Sequence, residues 1–182
     1  MTKETEQKIL DAALNLFARE GYKGATTRAI ADEAGFNELT LFRKFKNKEN
    51  LFDEVMIQNN QKLADSFMLI FSDIDQKFDN SRDFLEVYIK RMAKFYMDNF
   101  EGFNLLVNED YTKLDLDMGE FVNFIGKFLE RNMESEKIDH TTLGIIINTF
   151  MYAVNLERYH GRTSIGEETI EKFLNNLLLC VK

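Results

Sequence analysis

Apolar residues recur at helical spacing along almost the whole chain. In the first such segment, Ile9, Ala13, Leu16 and Phe17 fall on one face of a helix. The same test predicts nine helices, at residues 5–19, 27–34, 38–45, 48–71, 82–97, 103–110, 117–133, 142–159 and 167–181. The chain has no proline and only 9 glycines, which argues against an all-β sandwich or barrel. We therefore predict an all-α protein.

Polar and glycine residues mark several of these helix ends. Thr26 is a good N-cap for the second helix, and Asn47 for the fourth. Gly35 stands where a left-handed residue would end the second helix, and Gly161 ends the eighth. The short segment from Thr26 to Phe45 is therefore predicted to be helix, turn and helix.

Charge is distributed unevenly. The 182 residues carry a net charge of −8, which by itself argues against a nucleic-acid partner. Residues 1–50, however, hold 9 basic and 8 acidic residues, whereas residues 51–182 hold 14 basic and 23 acidic residues. A neutral-to-basic first segment on an acidic remainder is typical of a phosphate-binding module attached to a separate scaffold, although chance can also produce it.

Composition limits the other classes of function. A hydrophobic content of 45% is enough for a real core, and a single cysteine, Cys180, excludes an intrachain disulfide framework and a cysteine-rich zinc site. The polar, charged N-terminus does not resemble a secretory signal, and no apolar run approaches about 18 residues. We expect a cytoplasmic protein without a membrane partner.

Residues 26–45 form a helix-turn-helix pattern, T-T-R-A-I-A-D-E-A-G-F-N-E-L-T-L-F-R-K-F. Ala31 is small where two helices must cross, and Gly35 permits a sharp turn. Ile30, Leu41 and Phe45 are placed to clamp the pair against the first helix. The outer face of the third helix is then free to enter a DNA major groove.

The segment G-Y-K-G-A-T-T-R-A-I-A-D-E-A-G-F-N-E-L-T-L-F-R-K-F-K-N-K-E-N-L-F, with A-A-L-N-L-F-A-R-E-G before it, resembles the N-terminal domain of TetR-type transcriptional repressors. The resemblance covers about residues 5–55. It implies a three-helix DNA-binding domain at residues 3–63, joined to a six-helix ligand-binding and dimerisation bundle at residues 64–182. The second part matches no motif of its own.

The resemblance also implies a set of DNA-contacting residues: Thr26, Thr27, Arg28, Asn37, Glu38, Leu39, Thr40, Phe42, Arg43, Lys44, Lys46 and Lys48. Phe42 stands where the family usually has a phosphate-binding tyrosine, and Glu38 brings a negative charge to the recognition helix. Structural alternatives remain open at this point: Thr26 as mainly a cap, Arg28 and the lysines as solvated surface, and Phe42 as core.

Seventeen phenylalanines and six tyrosines suit either a packed core or a cavity for an apolar or aromatic molecule. The candidate lining is Phe67, Phe71, Tyr88, Met92, Phe95, Phe103, Leu106, Phe124 and Met151. Polar groups able to orient a ligand are Asn108, Glu109, Tyr111, Asn123 and Asn155. We expect a small hydrophobic effector, neutral or weakly polar.

The eighth predicted helix is apolar nearly all round, and the ninth has a continuous apolar stripe, so both need covering on more than one side. Two such helices from each of two chains would form a four-helix interface. The predicted homodimer interface is Ile146, Phe150, Ile170, Phe173, Leu174, Leu177 and Leu178.

Two other classes of protein fit parts of the sequence. Glu157 and His160 have the Glu-x-x-His spacing of di-iron bundle proteins, but the chain has only 2 histidines and lacks the second such pair. A structural helical adaptor would explain the bundle but not the helix-turn-helix segment. We therefore predict no catalytic residues, metal or cofactor. The expected function is a homodimeric, ligand-responsive repressor bound to a palindromic double-stranded DNA operator.

Overall fold

The computed structural model describes residues 2–72, 74, 78–109, 118–133, 138–162 and 167–180. These residues form eight helices: α1 (Lys3–Gly24), α2 (Thr27–Glu33), α3 (Glu38–Phe45), α4 (Lys48–Ser72), α5 (Ser81–Asn108), α6 (Met118–Asn132), α7 (His140–Tyr159) and α8 (Glu167–Cys180). The described segments contain no strand, so the predicted all-α class is confirmed. None of their helices is long and apolar enough to cross a membrane.

The chain divides into two compact units. The N-terminal unit comprises Met1–Asp65 and Glu101–Leu114, and the C-terminal unit comprises Ser66–Phe100 and Asp115–Lys182. The sequence-based division at residues 63 and 64 did not include the second segment of the N-terminal unit. That segment joins because Leu105 is buried in the N-terminal core and Leu106 packs against it.

One predicted boundary is wrong. The sequence pattern separated helices at 82–97 and 103–110, whereas α5 is a single helix over Ser81–Asn108. The intervening residues include Gly102, whose close approach to Asn59 explains why a helix-disfavouring glycine stands there: the Asn59 amide donates to the Gly102 carbonyl at 2.8 Å. Tertiary packing thus overrides the local propensity.

Helix starts in the N-terminal unit are set by polar side chains. The Thr26 hydroxyl accepts from the N–H of Ala29 at 3.1 Å, as predicted for an N-cap. The Asn47 carboxamide oxygen accepts from the N–H of Asn50 at 2.7 Å, which confirms the predicted cap of α4. These short-range bonds fix where α2 and α4 begin.

The C-terminal unit is built around α5, α6 and α7. Tyr88 and Tyr96 of α5 are fully buried, and the Tyr96 hydroxyl lies 3.2 Å from Asn148 Oδ1 of α7. Burial raises the pKa of both phenols above the ordinary value. Asp139 caps α7, and its hydrogen bonds from Thr142 lower the pKa of its carboxyl. The Phe150 and Phe173 rings stack with centroids 3.9 Å apart, which joins α7 to α8.

Candidate nucleic-acid interface and C-terminal cleft

The α2–α3 segment forms a tight helix-turn-helix. Gly35 adopts φ 76°, a left-handed conformation that glycine tolerates at little steric cost. The N–H of Phe36 donates to the Ala31 carbonyl at 2.9 Å and closes the turn. Ile30, Leu41 and Phe45 are buried in one core with α1, as the sequence predicted. That burial fixes which face of α3 points outward.

The outward face of α3 combines apolar and basic side chains. Leu39 is 60% exposed and Phe42 is 37% exposed, so Phe42 is a surface residue rather than core. Arg28, Arg43 and Lys46 are also exposed. Among the described residues these three cations form no ion pair, and their charges face solvent.

Two predicted DNA-contacting residues cap helices. Asn37 accepts from the N–H and the hydroxyl of Thr40, each at 2.9 Å, and begins α3. Thr26 begins α2 in the same way. Both residues remain exposed, so the caps leave them at the surface. Their structural role is therefore established by geometry, independently of any DNA contact.

Thr27 and Glu38 bond to each other. The Thr27 hydroxyl donates to Glu38 Oε1 at 2.5 Å, which joins the first turn of α2 to the first turn of α3. Both side chains are half-buried. The negative charge that the sequence placed on the recognition helix is thus held against the neighbouring helix.

The two remaining lysines have partners within the N-terminal unit. Lys44 Nζ lies 2.8 Å from Glu6 Oε1 of α1. Lys48, the first residue of α4, places its ammonium 4.5 Å from the centroid of the Tyr22 ring. Both lysines thus have an interaction partner on α1, outside the recognition helix.

This arrangement can bind DNA in two ways at once. Exposed guanidinium and ammonium groups contact phosphates, which gives affinity without sequence information. Arginine can also bind guanine O6 and N7, and apolar side chains can contact a thymine methyl group. A short helix with a clamped inner face and such an outer face has the geometry of a major-groove recognition helix.

Comparison with known proteins agrees with this geometry. Residues 9–55 match the model of the family described as "Bacterial regulatory proteins, tetR family". An uncharacterized HTH-type transcriptional regulator of Bacillus subtilis (strain 168), YvkB, is 41% identical over 58 residues, which are 32% of this chain and 31% of that protein. An HTH-type transcriptional regulator of Staphylococcus aureus (strain USA300) is 25% identical over 182 residues, covering 97% of this chain and 94% of that one.

Solved structures show the same fold over nearly the full length. A TetR-like transcriptional regulator from Rhodococcus sp. RHA1 superposes with a TM-score of 0.70 at 17% identity, covering 98% of this chain and 96% of that one. These findings support a TetR-family transcriptional regulator. The fatty acid degradation regulator FadR from Bacillus halodurans has a TM-score of 0.68 at 18% identity, with 98% and 96% coverage.

The matched family and relatives favour the regulator over the enzyme and the adaptor. The family and the matching proteins are DNA-binding regulators and not enzymes. The Glu157 carboxylate, half of the Glu-x-x-His pair, accepts from Arg162 at 2.7 Å and 3.0 Å. The described part of the chain contains no group of three or more side chains arranged to hold a metal ion.

The C-terminal unit contains a cleft of about 820 Å³. Its lining combines apolar and polar side chains in equal number. The apolar lining residues are Met68, Phe71, Ile74, Phe78, Phe124, Phe128 and Met133, and the polar ones are Ser72, Asp79, Asn80, Ser81, Glu130, Arg131 and Asn132. Such a lining suits a molecule with an apolar body and a polar end.

Of the predicted pocket residues that the structure describes, only Phe71 and Phe124 line this cleft. Phe67 lies behind them, with its ring centroid 4.7 Å from that of Phe71, and Phe95 packs against Phe67 at 5.6 Å. Tyr88, Met92 and Met151 are fully buried, and the buried Asn155 donates its amide to the Met151 carbonyl at 2.8 Å.

The other predicted pocket residues lie elsewhere. Phe103 and Asn108 belong to the N-terminal unit, where the Asn108 amide donates to Asn104. Glu109 also belongs to that unit and accepts from the N–H of Tyr22. Asn123 is exposed on α6, and Tyr111 lies outside the described residues.

Twelve of the fourteen residues that line the cleft, among them Phe128 and Met133, were not among the predicted pocket residues. Phe128 lies on α6 and fits the apolar period of that helix, and Met133 directly follows its last residue. Helical period does not distinguish the wall of a cleft from a packed core, so the pattern held no signal for this assignment.

The predicted dimer residues differ in burial. Ile146 is 48% exposed, whereas Leu174 and Leu178 are buried within the single chain. The other four, Phe150, Ile170, Phe173 and Leu177, are half-buried. Ile145 and Leu179 add further exposed apolar surface on α7 and α8.

Proposed function

We propose that this regulator is a ligand-responsive repressor that binds a palindromic operator as a homodimer. The outward face of α3 carries the proposal. Its exposed leucine and phenylalanine are bordered by three cations that have no ion-pair partner in the described structure. We expect the residues predicted from the sequence, at the start of α2 and along α3, to contact DNA phosphates and base edges.

The experiment is selection of bound duplexes from a random pool. We expect an enriched palindrome whose half-sites are about 34–36 Å apart, one helical turn of DNA. Replacing Arg28, Arg43 and Lys46 together by alanine should reduce the affinity and the slope of its salt dependence, by about 0.9 for each phosphate that is no longer neutralised. The matched control replaces Lys90, Lys94 and Lys172, which form ion pairs in the C-terminal unit.

The two triple variants separate the alternatives. If both lose affinity equally, the effect comes from net charge and the assigned face is wrong. If neither does, the protein does not bind DNA through this surface. Selection of a non-palindromic sequence would contradict binding as a two-fold dimer.

We place the homodimer interface on α7 and α8. Exposed apolar side chains on both helices, Ile145, Ile146 and Leu179, support this placement. Sedimentation of Ile146→Glu should show a monomer, since the charge would be buried in the interface. Ile57→Glu is the control, because Ile57 is a similarly exposed isoleucine on α4. A dimeric Ile146→Glu variant would place the interface elsewhere. Leu174→Glu is unsuitable because Leu174 is buried inside the chain.

The cleft is the proposed effector site. Its apolar side chains favour an aromatic or acyl compound, and one solved structure with the same fold is that of a fatty acid degradation regulator. A neutral or weakly polar compound is preferred over an acid, since residues 51–182 are strongly acidic. Its polar side chains would bind the polar end of such a molecule.

Helix α4 offers a route from effector to DNA. It begins at Lys48, its last turn contributes Phe71 and Ser72 to the cleft, and its 25 residues extend about 37 Å. An effector releases the repressor only if it binds the DNA-free state more tightly. Compounds that stabilise the protein should therefore weaken operator binding in a gel shift. Stabilising compounds that leave operator affinity unchanged would contradict this route.

A further inference from the structure

Helix α1 is interrupted at Gly21. This residue adopts φ 71° and ψ 168°, a conformation that is essentially restricted to glycine. The Gly21 carbonyl accepts from the N–H of Ala25 at 3.1 Å, so the residues between them form a separate helical turn. The N–H of Tyr22 is the first of that turn and has no partner inside it.

A carboxylate from a distant part of the chain satisfies this N–H. Glu109, 87 residues later, accepts from the Tyr22 N–H at 2.7 Å. A Cβ atom on Gly21 would lie 3.2 Å from the same carboxylate oxygen, so the approach is close. Leu105 and Leu106, one turn earlier, pack in the N-terminal core and hold the end of α5 in place. The carboxylate therefore caps the Tyr22 turn.

The Tyr22 ring connects this cap to α4. Its centroid lies 4.8 Å from that of Phe52 and 6.0 Å from that of Phe17. The Lys48 ammonium lies over the same ring, 4.5 Å from its centroid. Because an ammonium is attracted to the face of an aromatic ring, the position of Tyr22 helps to set the position of Lys48.

We propose that Glu109 is a positioning residue for DNA binding, acting through Tyr22 on Lys48. The hydrogen bond fixes the turn, the turn fixes the ring, and the ring orients the ammonium that contacts phosphate. The inference rests on the proposed function in one respect, because it takes Lys48 to be a phosphate ligand.

The sign of the effect distinguishes positioning from simple charge. Removing a carboxylate from a DNA-binding unit reduces repulsion of the phosphates, so charge alone predicts tighter binding of Glu109→Ala. Positioning predicts weaker binding, because Lys48 loses its fixed orientation. Glu101→Ala is the matched control, since Glu101 is an exposed carboxylate on the same helix and in the same unit.

The experiment measures duplex affinity by fluorescence anisotropy at several salt concentrations, with a DNA selected by the unmodified protein. Lys48→Ala should lower the salt slope by about 0.9. Glu109→Ala should weaken binding about twofold to fivefold, the range expected when an ammonium–ring interaction is removed. Glu109→Gln should bind nearly as the unmodified protein does, because its amide oxygen accepts the same hydrogen bond. Glu109→Ala combined with Lys48→Ala should bind as Lys48→Ala alone.

Each contrary result has a distinct meaning. Glu109→Ala that binds as tightly as Glu101→Ala overturns the positioning role. Additive effects in the double variant overturn the route through Lys48. An unchanged Lys48→Ala overturns the phosphate contact in the proposed function itself. If Glu109→Ala unfolds under the assay conditions, Tyr22→Leu replaces it. Tyr22→Leu keeps the capped N–H but removes the aromatic ring. An unchanged slope of its salt dependence would overturn the proposal.

Discussion

The two units use their aromatic residues differently. In the N-terminal unit, Phe17 and Tyr22 of α1 and Phe52 of α4 form one compact cluster of ring contacts. In the C-terminal unit, ring contacts continue from Phe67 to Phe71 and from Phe71 to Phe128, with centroids 4.7 Å and 4.5 Å apart, and they border an open cleft.

The two units therefore form their candidate sites in different ways. The N-terminal unit keeps its core closed and places its candidate function on the outer face of α3. In the C-terminal unit, Phe124 at the cleft is 40% exposed, although Tyr88 and Tyr96 are fully buried. A closed core fixes a recognition surface in space, whereas an open aromatic wall leaves room for a ligand.

The closed core should give the strongest response to substitution. Leu41→Ala should lower the free energy of unfolding of the N-terminal unit by about 2–5 kcal/mol, because Leu41 is fully buried. Leu39→Ala, on the exposed face of the same helix, is the matched control and should change stability little. Hydrogen exchange in α2 and α3 reports both. Equal destabilisation by the two variants would show that α3 is not clamped on one face.

Ligand binding in the cleft should change the free energy of unfolding by a similar but smaller amount. A cleft ligand at 100 times its Kd should stabilise the protein by about 2.7 kcal/mol, which is measured as a thermal shift with a neutral acyl ester or an aromatic hydrocarbon. Phe124→Asp should abolish the shift by charging the apolar lining. Val107→Asp, an exposed apolar position in the N-terminal unit, should leave it intact. A shift that survives Phe124→Asp would place the ligand outside this cleft.

The next largest effect is expected on base recognition by the helix-turn-helix of the N-terminal unit. Arg28→Ala should cost about 1–3 kcal/mol of binding free energy and relax specificity at one base pair. Competition with operator variants changed at single positions measures this effect. Arg82→Ala, an exposed arginine of the C-terminal unit, serves as the control. A uniform reduction across all variants would make Arg28 a phosphate contact.

The weakest effect concerns the caps that position the recognition surface. Thr26→Ala should reduce the free energy of unfolding by about 1 kcal/mol because the α2 cap is removed. Thr26→Ser keeps the hydroxyl and should be nearly neutral. Chemical denaturation measures both variants, and a gel shift is run beside it. Weaker DNA binding by Thr26→Ala at unchanged stability would make Thr26 a phosphate contact rather than a cap.

The N-terminal unit could be predicted closely because its determinants are local. The caps at Thr26 and Asn47 satisfy N–H groups three residues away, and Gly35 turns the chain by itself. The C-terminal unit depends on contacts between distant helices, which is why most of its predicted pocket residues lie away from the cleft. The predicted break within α5 was wrong because packing against Asn59 keeps Gly102 helical, and no pattern near Gly102 indicates that contact.

Apolar period, capping side chains and one glycine were enough to predict the helical class, the helix-turn-helix and the buried side of α3. These signals act within a few residues of the chain. Only the tertiary structure shows which charged side chains are paired and which apolar residues line the cleft. Lys44 meets Glu6, Thr27 meets Glu38 and Tyr22 meets Glu109 across separations that periodicity does not encode. Distance between side chains, unlike helical phase, is a property of the packed chain.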